Sequence, residues 1–261
     1  MASNGKIEAR ITVPTGGWDM ACTDASGGPT TVTLPAGTYY HSSDGSNANT
    51  LGEALTTAAN AVMTQTWTIS IAAGEEASGK YTITCDGATC TVTFTDTELR
   101  DLLGFTIHLT GDTSYIGANQ AQGLWIASEG FQKKNGGTGG SWVTDQQTVN
   151  TMSGHVYSVM GRKHRRTRIT WPMESRAKTW AENESATNES FETFLLDGIW
   201  GGASWGTSAG PIRFHPDADT DATYGTFSVL GLESWDPSEL QEHWAGGRWV
   251  IELPHLIEVP S

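Results

Sequence analysis

A chain of 261 residues with a formal net charge of −14 and a pI near 4.8 repels duplex phosphate over most of its surface, which argues against nucleic acid as the default partner. Its 31 glycines, 11 tryptophans and 17% charged residues exclude a disordered chain and indicate turn-rich β structure with large aromatic anchors. No apolar run reaches the roughly eighteen residues that cross a bilayer, and no basic start leads into a hydrophobic stretch, so the expectation is a soluble protein without a membrane partner.

The fold class expected is α+β and β-rich, with two modules of mainly antiparallel sheet, each carrying short packed helices. The modules divide as residues 1–130, a Gly-rich linker or loop at 131–150, and residues 151–261. Cysteines are an odd set, Cys22, Cys85 and Cys90, which fits free thiols. Cys85 and Cys90 flank an Asp86-Gly87 turn signal, so they are expected to face each other across a hairpin, able to pair if oxidised.

Along the first module, residues 6–13 alternate Ile7, Ala9, Ile11 and Val13 with polar neighbours, the pattern of a half-buried N-terminal strand or arm. Residues 15–29 read as a loop anchored by Trp18, and 30–34 as a strand turned by Pro35-Ala36-Gly37. After a polar loop at 41–47, Asn49 or Thr50 caps a helix with Leu51, Ala54, Leu55, Ala58 and Val62 at three- and four-residue steps. Residues 67–71 form a strand, and 80–85 with 90–95 form the two arms of a hairpin. Asp96 caps a short helix with Leu99, Leu102 and Leu103 inward, Gly104 stops it, and Phe105 folds back onto it.

Leu124-Trp125-Ile126 reads as a strand end or an interface anchor. The Lys133-Lys134-Asn135 and Gly136-Gly137-Thr138-Gly139-Gly140 run lacks the Lys-Ser or Lys-Thr pair of a nucleotide loop and reads as a linker. Residues 156–160 and 166–171 look like paired strands around Gly161, with Arg162, Lys163, Arg165, Arg166 and Arg168 at the connection. The plain reading of so short a basic run is a solvated tip. The sharper one is a patch meeting the acidic face of a neighbouring copy, with nucleic-acid contact third.

Asn188 heads a helix with Phe191, Phe194 and Leu195 on one face, ended by Gly198. Strands follow at 211–215 and 224–232. Asp236-Pro237-Ser238-Glu239 then starts a brief helix that ends near Gly246, and a last strand at 249–257 is held to an edge or bend by Pro254.

No residue set suggests catalysis, a cofactor or a metal. Asp217, Asp219 and Asp221 alternate in a loop, but Ala222 and Ser228 stand where a calcium loop needs Gly and Glu. The histidines lack zinc-site spacing, and Glu75-Glu76 is ordinary loop charge. Trp200, Trp205, Trp235, Trp244 and Trp249 suit either core and interface anchoring or a sugar-stacking platform, with Trp200 and Trp205 in a Gly-rich loop.

Several segments carry a family likeness: Pro35-Ala36-Gly37-Thr38-Tyr39-Tyr40, Phe94-Thr95-Asp96 running into Leu102-Leu103-Gly104-Phe105, Gln122-Gly123-Leu124-Trp125, Arg213-Phe214-His215-Pro216-Asp217, and Trp249-Val250-Ile251-Glu252-Leu253. With the 51–62 helix, they make the chain resemble structural proteins of tailed bacteriophage virions, of tail tube, neck or distal-tail type. The resemblance implies a non-enzymatic, cofactor-free protein of the virion, made in the host cytoplasm, that acts as a homo-oligomer with other virion proteins. Rings are the assembly it implies, and its alternatives are a receptor-adhesion or glycan-binding module and a capsid-associated minor protein. The candidate interface comprises Arg162, Lys163, Arg165, Arg166, Arg168, Trp125, Trp200 and Trp205.

Overall fold

A computed structural model describes residues 5–25, 27–41, 50–71, 79–87, 89–127, 132–134, 141–150, 156–180, 182, 189–199, 212–215, 225–229, 241–243 and 248–258. It is β-rich α+β, as the composition implies. The polar–apolar alternation of residues 6–13 breaks at Ala9-Arg10 into β1 (Lys6–Glu8) and β2 (Ile11–Val13), which enter different sheets. That step separates two hydrophobic cores. Ile7 and Ala9 belong to one, Ile11 and Val13 to the other.

Residues 11–121 build the first core as a unit inserted between β1 and β11 (Leu124–Ile126). One sheet runs β4-β3-β8-β9, made of β3 (Trp18–Thr23), β4 (Thr30–Leu34), β8 (Cys90–Phe94) and β9 (Leu109–Asp112). Residues 15–29 are therefore not simply a loop. Trp18, Met20 and Cys22 alternate inward with Asp19, Ala21 and Thr23 between them, and that period makes a strand. The second sheet runs β10-β7-β6, from β6 (Trp67–Ile71), β7 (Tyr81–Cys85) and β10 (Ser114–Ile116), and β5 (Gly37–Tyr39) pairs with β2.

The expected hairpin of β7 and β8 does not form. Asp86-Gly87 carries the chain from one sheet to the other, so β7 pairs with β6 and β10 while β8 pairs with β3 and β9. At the same end Thr113 turns the corner from β9 to β10, and its carbonyl accepts the Cys85 N–H at 2.9 Å.

Helix α1 (Leu51–Val62) packs against β4 and β6, closing the side where the sheets part. Thr50 caps it, its hydroxyl accepting the Glu53 N–H. Leu51, Leu55 and Ala59 are buried, whereas Val62 is half exposed. The helix also covers the free edge of β6. Thr56 Oγ1 accepts the Ile69 N–H at 2.8 Å and donates to its carbonyl at 3.2 Å, and Asn60 does the same for Trp67 at 2.8 and 3.0 Å. The spacing is geometric, because four helical residues rise about 6 Å and two strand residues about 6.7 Å. One turn earlier stands Gly52, where a Cβ would press on the Ile69 carbonyl, so only glycine lets the helix lie this close.

Helix α2 (Thr97–Leu102) ends as the sequence indicates. Gly104 is left-handed (φ 76°), its N–H bonds the Asp101 carbonyl, and the Phe105 N–H bonds that of Arg100. Phe105 stacks on Phe94 with centroids 5.6 Å apart. Asp96 precedes the helix without capping it; its carboxylate instead accepts the Asp19 N–H, tying the helix entry to β3.

The second core lies on a nine-stranded sheet, and the division of modules at residue 130 does not hold. Order along the sheet is β11-β1-β15-β16-β18-β14-β12, with β13 on β14 and β17 on β18. Here β12 is Gln132–Lys134, β13 Ser141–Asn150, β14 Val156–Ser175, β15 Ile212–His215, β16 Gly225–Val229, β17 Gln241–His243 and β18 Arg248–Glu258. The first strand of the chain thus sits inside this sheet, between β11 and β15, and is no free arm. Nor is 131–150 a linker, since β12 and β13 both pair with β14; the glycine run at 135–140 lies outside the described residues.

The expected helix after Asp236 is interrupted as well, because Gln241–His243 is a strand on β18. Pro254 falls where the β14–β18 register shifts, with Thr167 opposite Leu256 and Ile169 opposite Leu253, so a bulge takes the missing N–H within an interior strand. Helices α3 (Arg176–Thr179) and α4 (Phe191–Thr193) follow, the latter continuing as a π-helical turn (Phe194–Ile199). Ser190 caps α4 rather than Asn188, its hydroxyl accepting the Thr193 N–H, and Phe191, Phe194 and Leu195 are buried.

Candidate assembly interface

Strand β14 places the basic cluster. Its twenty residues run without a turn, so Gly161 joins no two strands. Instead, the β13–β14 register shifts between Thr144 and Gln146, opposite Gly161 and Arg162, which makes the glycine part of a bulge. A glycine within β-branched and polar strand residues carries both meanings in sequence.

Two flanks of β14 are occupied unequally. Strand β18 accompanies it from Arg166 to Ser175, and β12 from Arg168 to Thr170. From Val156 to Arg165 the described partner is β13 alone, and β13 itself pairs with β14 alone among the described residues. The sheet therefore continues as a two-stranded ribbon, with ten residues of β14 extending about 33 Å beyond the last β18 pair. Along it Lys163 stands opposite Thr144 and Arg165 opposite Trp142; at its base Arg166 meets Ser141 and Ile257, and Arg168 meets Lys134. All five predicted cations thus fall within one strand, in the ribbon and at its root, and not at a turn.

Trp125 is corrected from interface anchor to core residue. It is fully buried on β11, edge-on to Trp171 and Phe191 with centroids at 4.9 and 5.1 Å. Trp249 likewise packs edge-on to Trp180 at 5.2 Å against the second core. Trp200, Trp205, Trp235, Trp244, the Asp217–Asp221 loop and Glu75-Glu76 lie outside the described residues.

Sequence reading left out a buried polar seam where the inserted unit meets the nine-stranded sheet. On β1 and β15 the alternation sends Ile7, Ile212 and Phe214 into the second core, and Lys6, Glu8, Arg213 and His215 to the opposite side. All four are buried, although the alternation of residues 6–13 sets Lys6 and Glu8 on the polar side of a half-buried strand. Register sets Glu8 against Arg213 and Lys6 against His215, and the His215 Nε2 lies 3.4 Å from the Glu8 carboxylate. The Arg213 guanidinium covers the Tyr40 ring at 3.8 Å, joining the inserted unit to the sheet by a cation–π contact.

His41 closes the seam. Its Nε2–H donates to the Gln122 carbonyl (2.8 Å), so Nδ1 accepts the Tyr81 hydroxyl (3.0 Å). Burial holds this imidazole below its usual value, Lys6 adds to the effect, and Glu8 with the Gln122 carbonyl opposes it. Nothing in the spacing of a lone histidine after Tyr39-Tyr40 distinguishes such a residue from a loop residue. The three thiols are also enclosed in the first core, where burial pushes Cys22 and Cys90 each up to about 12 and raises Cys85. Cys85 donates to the Gln65 side chain.

Among the described residues no group of His, Cys, Asp and Glu is placed to hold a metal ion, and no helix is long and apolar enough to cross a membrane. No protein-family model, curated protein or solved structure matches the chain.

Proposed function

We propose that this protein is a structural subunit of a tailed-phage virion, in the tail or neck, that works by associating with copies of itself and with neighbouring virion proteins. The observation that supports it most is the β13–β14 ribbon. A two-stranded hairpin is marginal by itself in water, and a strand edge with unmatched N–H and C=O groups recruits another chain. A ribbon carried on a firmly built sheet therefore suits a protein whose work is docking. The closed edge of β6 points the same way, since α1 suppresses pairing at one margin while the ribbon offers it at another.

Light scattering coupled to size exclusion, with negative-stain imaging of the same fractions, tests the reading. Closed rings or short tubes are expected. Monomers at every concentration up to the solubility limit would refute it, and so would loss of a host-polysaccharide response in Trp200 or Trp205 variants of a protein that never assembles.

A further inference from the structure

We propose that the ribbon docks by charge on the acidic body of a second copy, in a head-to-tail contact, and does not meet another ribbon. This docking rests on the self-association reading above and adds to it the chemistry of the partner surface.

Charge along the chain is sharply divided. Residues 141–168 contain five basic residues and one acidic residue, Asp145, giving +4; the remainder of a chain at −14 overall therefore carries −18. Strand register sets uncharged residues against three of the cations: Lys163 faces Thr144, Arg165 faces Trp142, and Arg166 faces Ser141 on one flank and Ile257 on the other, while Asp145, the one acidic residue of the span, sits in the bulge opposite Gly161 and Arg162. At the root Arg168 stands opposite Lys134, a like-charge pair that costs stability in an isolated sheet. An anionic surface laid over this strip relieves that repulsion.

The same division selects the partner. Two ribbons meeting would bring +4 onto +4, so an isologous ribbon-to-ribbon contact is opposed. A polyanion such as duplex DNA would approach the ribbon through the field of a −18 body. A second copy supplies the anionic surface itself. Ribbon to body is a contact between two different patches, and repeating it gives rings when the rotation closes and filaments when it does not. Orientation and association rate then depend on ionic strength.

The test follows assembly by sedimentation velocity from about 50 mM to about 0.5 M NaCl, which shrinks the screening length from over 10 Å to about 4 Å. Wild type should dissociate at least about tenfold more readily at the upper salt. The triple variant Arg162→Thr, Lys163→Thr, Arg165→Thr should fail to assemble at low salt with its near-ultraviolet tryptophan spectrum intact, and Arg162→Lys with Arg165→Lys should assemble as wild type. If the triple variant does not fold, the wild-type salt series decides.

Assembly that ignores both salt and the threonine variant overturns charge-driven docking while leaving self-association standing. A wild type that stays monomeric at low salt overturns both. Binding of a duplex DNA fragment by monomers, lost in the threonine variant, overturns it in favour of nucleic acid.

Discussion

Asn60→Ala is the sharpest probe of how the inserted unit is closed. Asn60 lies on the solvent side of α1, and at an ordinary exposed helix position replacing Asn by Ala stabilises by about 0.5 kcal/mol through propensity alone. Here the side chain serves both backbone groups of Trp67, whose indole is fully buried. In the antiparallel β6–β7 pair, Trp67 and Ile69 direct their N–H and C=O outward, where α1 meets them. Removing two hydrogen bonds at about 1 kcal/mol each, with water reaching part of the vacated edge, costs about 2 kcal/mol. After the propensity gain, the net destabilisation is about 1.5 kcal/mol.

Urea unfolding followed by tryptophan fluorescence reads this as a lower midpoint with an unchanged slope. Asn60→Asp should fall between, because its carboxylate still accepts the Trp67 N–H but cannot donate to the carbonyl. A result in which Asn60→Ala is as stable as wild type, or more so, would refute edge capping as the role of this helix.

Two further outcomes follow from buried groups. His41 is held neutral below its usual value of 6.5, so the unfolded chain takes up that proton first as pH falls. Its contribution is complete above about pH 6.5 and is lost progressively below it, towards the lower folded value; urea midpoints in His41→Gln should therefore decline less on acidification, and an identical acid limb in both proteins would contradict this. The thiols of Cys22, Cys85 and Cys90 are all enclosed, with Cys22 and Cys90 raised to about 12. A colourimetric disulfide reagent near pH 8 should therefore find none of them in the folded protein and all after unfolding; rapid native labelling of Cys85 would show that the β7–β8 crossover opens.

What the sequence made legible were features decided within a few residues. The α1 period with its Thr50 cap, the Leu102-Leu103-Gly104-Phe105 stop, and the alternation of β6 all depend on neighbours close in the chain. Pairing was less legible. Asp86-Gly87 signals a turn, but whether the chain returns beside β7 or crosses to a facing sheet depends on β3, more than sixty residues earlier. The same limit hid the seam. Lys6, Glu8, Arg213 and His215 have the pattern of a solvent-facing side, and only the presence of a second unit against that side buries them. For the candidate interface, clustering of cations was visible, while their position in a ribbon required knowing where β18 stops.

The nesting of one unit within another also orders events in time. Strand β1 precedes its partner β15 by about two hundred residues, a sequence separation that slows pairing in any chain. The intervening unit has its own core, and among the described residues its strands pair only with one another, so it can condense early and bring the tethered β1 and β11 side by side. Strands further along the chain then add to that two-stranded template, with β18 joining β14 to it through β16.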